Sequence, residues 1–252
     1  MANSGFMSVS TKQRRQITVD LFRVYEISVK VFTLQDFQQE EASYVISGFV
    51  DVCLSKDIKY LEFHNKNCYK GYVIDMPYPL EPGGTYKKEK VYTVRIRTIR
   101  KDLMNYLTET LGNTANEYFK GLTTHVRIIP RKHISKIYSI TPVLIKLGEG
   151  GYWKSNISFE QYEHLLKTNL IKKYNTFMNT KIDEDFQLYT NIQKLNRVPV
   201  KIKFKNIALL GDKFDMEIAD NEMAQELAYL ALATGIGENN SRGCGFVNYK
   251  YL

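Results

Sequence analysis

The succession of strand-like and helix-like stretches along this 252-residue chain predicts an α+β protein built from two tandem ferredoxin-like units. Three observations lead there. Up to about His133 the order reads strand, helix, two or three strands, helix, strand. A second series of strand, long helix, strands, alanine-rich helix and strand begins near Ser135. Glycine and proline clusters separate the periodic stretches where turns are needed. The expected boundaries are a flexible polar extension over 1–16, a first unit over 17–133 and a second over 134–252. No sequence repeat relates the halves.

Taken in order, Ile17–Leu34 reads as a strand, with Ile27, Val29 and Val31 alternating against Ser28 and Lys30. Glu40–Leu54 turns helical, with Ala42, Val45, Ile46, Phe49, Val50 and Cys53 on one face. Asp57–His64 is expected as a strand, followed by a turn at Asn65–Asn67 and a strand over Tyr69–Met76. Pro77, Pro79, Pro82, Gly83 and Gly84 mark a long loop. Lys90–Ile99 alternates Tyr92, Val94 and Ile96 against Thr93, Arg95 and Arg97. Lys101–Leu111 is a helix that stops at Gly112, and His125–Pro130 is the closing strand.

In the second half, Tyr138–Lys146 is strand-like and Gly148–Gly151 breaks it. Ser158-Phe159-Glu160-Gln161 is a capping box. The helix it opens carries Phe159, Tyr162, Leu166, Leu170, Tyr174 and Phe177 on one stripe. Val200–Lys205 alternates strictly. Glu222–Ala233 is an alanine-rich helix, and Phe246–Leu252 a strand. Between those two lies Gly235–Gly245, with four glycines in eleven residues among Asn, Ser and one Arg. Successive backbone N–H groups in such a turn can form a nest for phosphate. Its spacing fits neither a dinucleotide fingerprint nor a nucleotide-triphosphate loop.

The chain is 44% hydrophobic and 25% charged, ordinary for a globular protein, and carries a net charge of +8. That balance points to a polyanionic partner. Eighteen Tyr and thirteen Phe interleave with the Lys and Arg, a mixture suited to single-stranded RNA. Cys53, Cys68 and Cys244 form no Cys-x-x-Cys pair, so zinc is not expected, and their odd count fits a reducing cytoplasm. No apolar run is long enough to span a membrane. His64, His125, His133 and His164 are scattered, so neither a metal cluster nor any cofactor is implied. His64 is the best acid–base candidate, since histidine exchanges protons near neutral pH and Asn65, Lys66, Asn67 and Lys70 surround it with polar, basic neighbours. Arg95 and Arg97, Lys201, Lys203 and Lys205, and Arg127 and Arg131 are phosphate-contact candidates. The three lysines serve equally well as charges that keep a strand edge from pairing.

Gly235-Ile236-Gly237-Glu238-Asn239-Asn240-Ser241-Arg242-Gly243-Cys244-Gly245-Phe246 resembles the C-terminal glycine-rich loop of the CRISPR-associated repeat-processing endoribonucleases, the Cas six type of the repeat-associated RNA-binding superfamily. Asn239 stands where lysine is common and Cys244 where an aromatic is common. Ile140–Lys146 is similar to the family's Ser-Pro-hydrophobic-Val stretch, and Leu170-Ile171-Lys172-Lys173-Tyr174 to its Leu-x-x-Lys-Tyr. The resemblance implies RNA-recognition-motif-like domains and metal-independent cleavage of CRISPR precursor RNA by the RNA's own 2′-hydroxyl. CRISPR repeat RNA is then the partner, with other CRISPR-associated proteins alongside. It places His64 at the family's catalytic histidine and Lys70 at a catalytic lysine. Asp51 stands where some members carry a catalytic tyrosine, so Tyr60 or Tyr44 would have to substitute. Gly235, Gly237, Asn240, Ser241, Arg242, Gly243 and Gly245, with Lys66, are the expected RNA contacts. The alternative is a non-catalytic RNA-binding subunit of a CRISPR effector complex.

Overall fold

The computed structural model describes residues 22–147, 151–204 and 207–252. The expected extension over 1–16, the strand residues before Phe22, the glycine break at 148–150 and Lys205 lie outside these residues.

The first sheet is formed by β1 (Val24–Thr33), β3 (Tyr72–Ile74), β5 (Val91–Thr98) and β6 (Phe119–Ile129), ordered β3-β5-β1-β6 with every neighbour antiparallel. Helices α1 (Ala42–Leu54) and α3 (Lys101–Thr110) pack on it. The second sheet is formed by β7 (Ile134–Ser139), β8 (Tyr189–Lys194), β11 (Phe214–Ile218) and β12 (Val247–Tyr251), ordered β12-β7-β11-β8 and again antiparallel. Its helices are α4 (Phe159–Met178) and α5 (Glu222–Thr234). In both sheets the strands follow the order fourth, first, third, second, which is the tandem ferredoxin-like arrangement the sequence predicts. Two short ribbons are additions: β2 (Phe37–Gln38) with β4 (Thr85–Tyr86), and a hairpin of β9 (Val200–Phe204) and β10 (Ile207–Gly211) inserted before β11.

Local chemistry explains most boundaries. The Ser158 hydroxyl accepts from the Gln161 amide while the Gln161 side chain accepts from the Ser158 amide, so the capping box starts α4 as expected. Asn221 caps α5 by accepting from the Ala224 amide at 2.9 Å. Tyr162, Leu166, Leu170 and Tyr174 form the buried stripe of α4. Trp153 is a core residue, stacked on Tyr162 and donating to Asp212 at 2.7 Å.

The element after α1 differs from expectation. Asp57–His64 is not a strand: Ile58–Asn65 is a helix, α2. The Asp57 carboxylate accepts from the Lys59 amide at 2.8 Å and starts it. The Lys70 ammonium finishes it by donating to the carbonyls of Phe63, His64 and Lys66.

The open face of the first sheet is covered by the second half of the chain. Arg97 on β5 is fully buried there, with its guanidinium 4.3 Å from the Phe246 ring centroid. It donates to Glu26 at 2.7 Å, to the Val247 carbonyl and to Asn248 Oδ1. A seam between the two sheets runs through this one side chain.

Candidate functional site

Three elements distant in sequence converge at one point. Asp51 lies on α1, His64 on the last turn of α2, and Arg242 in a single 3-10 turn, Asn240–Arg242, inside the glycine loop. His64 Nδ1 is 3.3 Å from Asp51 Oδ1. Arg242 Nη1 donates to the other carboxylate oxygen, Asp51 Oδ2, at 2.6 Å. The His64 side chain is 22% exposed and that of Arg242 34%, so the cluster is fixed by the fold yet open to a ligand. The Arg242 guanidinium also lies over the Phe204 ring at 5.1 Å, and Phe204 meets Tyr44 edge-on at 5.5 Å. A carboxylate against one ring nitrogen selects the tautomer that carries its proton there, and leaves the other nitrogen for proton exchange.

The glycine loop closes on itself. Gly235, Gly237, Gly243 and Gly245 all have positive φ. At Gly245 (φ 69°) a Cβ would overlap the Ile236 carbonyl oxygen, and at Gly237 (φ 64°) the Leu144 carbonyl. The strap 140–146, expected as strand, supplies the dock: Gly245 donates to the Pro142 carbonyl at 2.8 Å, and Glu238 to the Leu144 carbonyl at 2.7 Å. From α4, the buried Lys173 ammonium donates to Gly235 O, Gly237 O and Asn240 Oδ1 at 2.7–2.8 Å. Burial pushes this ammonium down to about 7; the three oxygens around it oppose that by favouring the charged form. The Asn240 amide nitrogen in turn donates to the carbonyls of Ile236 and Cys244, both at 3.0 Å.

The structure therefore assigns some expected residues differently. Asn240 spends its side chain inside the loop and is not a free RNA contact. Lys70 directs its ammonium at three carbonyls, which makes it the cap of α2 rather than a group aimed at a reacting phosphate; burial and the nearby Arg242 and Arg100 hold its pKa below the ordinary value. Tyr60 is buried, stacked on Tyr106 at 4.0 Å, with its hydroxyl donating to the Asp102 carbonyl. Arg97 belongs to the interior, and Arg95 pairs with buried Asp75, its Nε donating at 2.9 Å. Arg127 is exposed but shares Glu26 with Arg97. Arg131 pairs with Glu226 near the start of α5, the end away from the loop, between the rings of Phe22 and Tyr229. Lys201 and Lys203 pair with Glu40, and Lys203 also with Glu41, which ties the β9–β10 hairpin to the entry of α1. Lys66 is exposed just after α2, while Ser241 is half-buried against the Tyr72 hydroxyl.

Sequence reasoning placed His64 and Arg242 but gave Asp51 no role of its own, and passed over Phe204. Asp51 lies off the apolar face of α1, on the side of Tyr44 and Gly48, where nothing in its own segment marks it. No group of three or more His, Cys, Asp or Glu that could hold a metal occurs among the described residues. None of the described helices is long and apolar enough to cross a membrane.

Comparison with known proteins agrees with this architecture. The family described as CRISPR associated protein Cas6, C-terminal, matches residues 129–249. A relative named CRISPR-associated endoribonuclease Cas6 2, from Methanocaldococcus jannaschii, is 24% identical over 232 residues, covering 85% of this chain and 95% of that protein. A solved structure titled CRISPR associated protein Cas6 superposes with a TM-score of 0.66 at 19% identity, over 90% of this chain and 99% of that one. Another, described as an RAMP protein binding different RNA substrates, gives a TM-score of 0.67 at 16% identity, over 90% and 99%. A Cas6-related protein from Pyrococcus furiosus gives 0.64 at 16%, over 90% and 98%.

Proposed function

We propose that the chain, whose residues 129–249 match the Cas6 C-terminal family, is a Cas6-type endoribonuclease that cuts CRISPR repeat RNA without a metal ion. The observation that carries the reading is the His64–Asp51–Arg242 cluster beside the glycine loop.

In the proposed reaction the 2′-hydroxyl next to the scissile phosphate loses its proton to a base, and its oxygen bonds to phosphorus. The P–O5′ bond breaks and the leaving oxygen takes a proton. The products are a 2′,3′-cyclic phosphate and a 5′-hydroxyl. His64 serves as the proton-exchanging group. Asp51 holds the imidazole in one orientation. Arg242 fixes Asp51 through one N–H; its remaining donors can meet the negative charge that develops on the phosphorane. Phe204 and Tyr44 offer ring faces or edges for flanking bases. Lys70 acts at one remove, by capping the helix that carries His64.

The test is cleavage of repeat RNA in EDTA with analysis of the product ends. Cleavage that persists and leaves a cyclic phosphate supports the reading. Strict need for a divalent ion, or cutting of RNA with a 2′-deoxy sugar just 5′ of the scissile phosphate, contradicts it.

A further inference from the structure

A cavity of about 580 Å³ lies between α4, the glycine loop and the residues that follow α2. The cluster around His64 does not use it. Its apolar wall is made by Phe177 and Tyr69, whose ring centroids are 6.5 Å apart. Phe177 lies close over Gly71, where φ is 68° and a Cβ would meet the ring at 3.1 Å, so a side chain there would force the ring aside. Lys146, Lys70 and Lys173 bring positive charge to its lining, against the carboxylate of Glu238. Asn169 on α4 lines it too, is nine-tenths buried, and keeps its Oδ1 without a hydrogen-bond partner among the described residues. Buried acceptors are rarely left alone, because the lost hydration is not replaced.

Ring faces, cations and a lone acceptor describe a ligand with a flat aromatic system, a negative charge and an N–H donor. A nucleotide has all three. We infer that this cavity receives one nucleotide of the bound strand and selects a base bearing an exocyclic amino group, which donates to Asn169 Oδ1. Cytosine presents an amino group where uracil presents a carbonyl oxygen, and a second acceptor facing Asn169 Oδ1 repels it. The inference rests on the RNA-cleaving reading of the neighbouring site and adds base selection to it.

The experiment compares binding of short oligocytidylate and oligouridylate strands of equal length to the full chain and to two variants. The parent is expected to bind oligocytidylate about tenfold more tightly. Asn169→Leu, similar in volume but without an acceptor, should remove the preference, and Asn169→Asp should retain it. Asn169→Ala repeats the comparison if Asn169→Leu does not fold. Equal affinity of the parent for both strands, or a preference unchanged in the variant without an acceptor, overturns the pocket. Those outcomes leave the endoribonuclease reading standing, because repeat-RNA cleavage in EDTA is a separate measurement.

Discussion

His64 Nδ1 stands 3.3 Å from Asp51 Oδ1, while Asp51 Oδ2 accepts from Arg242 Nη1 at 2.6 Å. One carboxylate thus joins an imidazole ring to a cation from the glycine loop that lies 191 residues beyond the carboxylate in the chain.

Asp51→Asn keeps the shape of that carboxylate and removes its charge. Single-turnover cleavage at saturating enzyme should fall on the order of tenfold to a hundredfold, since the fixed orientation is lost while His64 remains. RNA affinity should change little. An unchanged rate would mean that Asp51 only anchors Arg242.

Lys70→Ala removes three charge-assisted hydrogen bonds from the end of α2. Denaturant unfolding should show a loss of about 2 kcal/mol, the scale of hydrogen bonds from a charged donor. Cleavage should fall with the order of the helix end. A variant of parental stability that no longer cleaves would return Lys70 to the reacting phosphate.

Lys173→Met leaves the carbonyls of Gly235 and Gly237 and the Asn240 side chain without their shared donor. The loop should lose its fixed form, so RNA affinity should weaken by about 1–3 kcal/mol, read by titration with 2′-deoxy-blocked RNA. The cleavage rate at saturating RNA should fall less than affinity does. Undiminished affinity would show that the loop holds its form without the ammonium.

Glu26 links pH to stability. Burial pushes its carboxyl up, but Arg97 and Arg127 outweigh burial and hold it below its ordinary value. A carboxyl lowered by folding stabilises the fold above its unfolded value, and that contribution is lost as pH falls through the folded value. Glu26→Gln leaves Arg97 buried without its counter-charge, so at neutral pH it should destabilise by about 3–5 kcal/mol. The gap to the parent should narrow as pH drops below the ordinary carboxylate range. Urea midpoints across that range check it; a constant gap would remove Glu26 from the acid response.

Much of the fold was legible because capping chemistry and apolar spacing are local signals. Ser158, Gln161 and the stripe of α4 needed nothing beyond their own segment. The helix over Ile58–Asn65 was not legible by period, since Tyr60 is its one buried residue, and one residue defines no face. The capping aspartate, Asp57, was the available signal. Arg97 was misread because strand alternation separates two faces without saying what covers the second; the cover comes from β12, some 150 residues on. Asp51 shows its role only in space, as its partners lie on α2 and in the closing loop.

The most direct test of the account is single-turnover cleavage of repeat RNA by His64→Ala, measured beside a binding titration of uncleavable RNA. If His64 moves a proton in the transition state, the rate should fall roughly 10²–10⁴-fold, and affinity should hold because the loss is confined to the transition state. Cleavage at the parent rate would contradict the account and remove His64, and with it the Asp51–Arg242 support, from the chemistry.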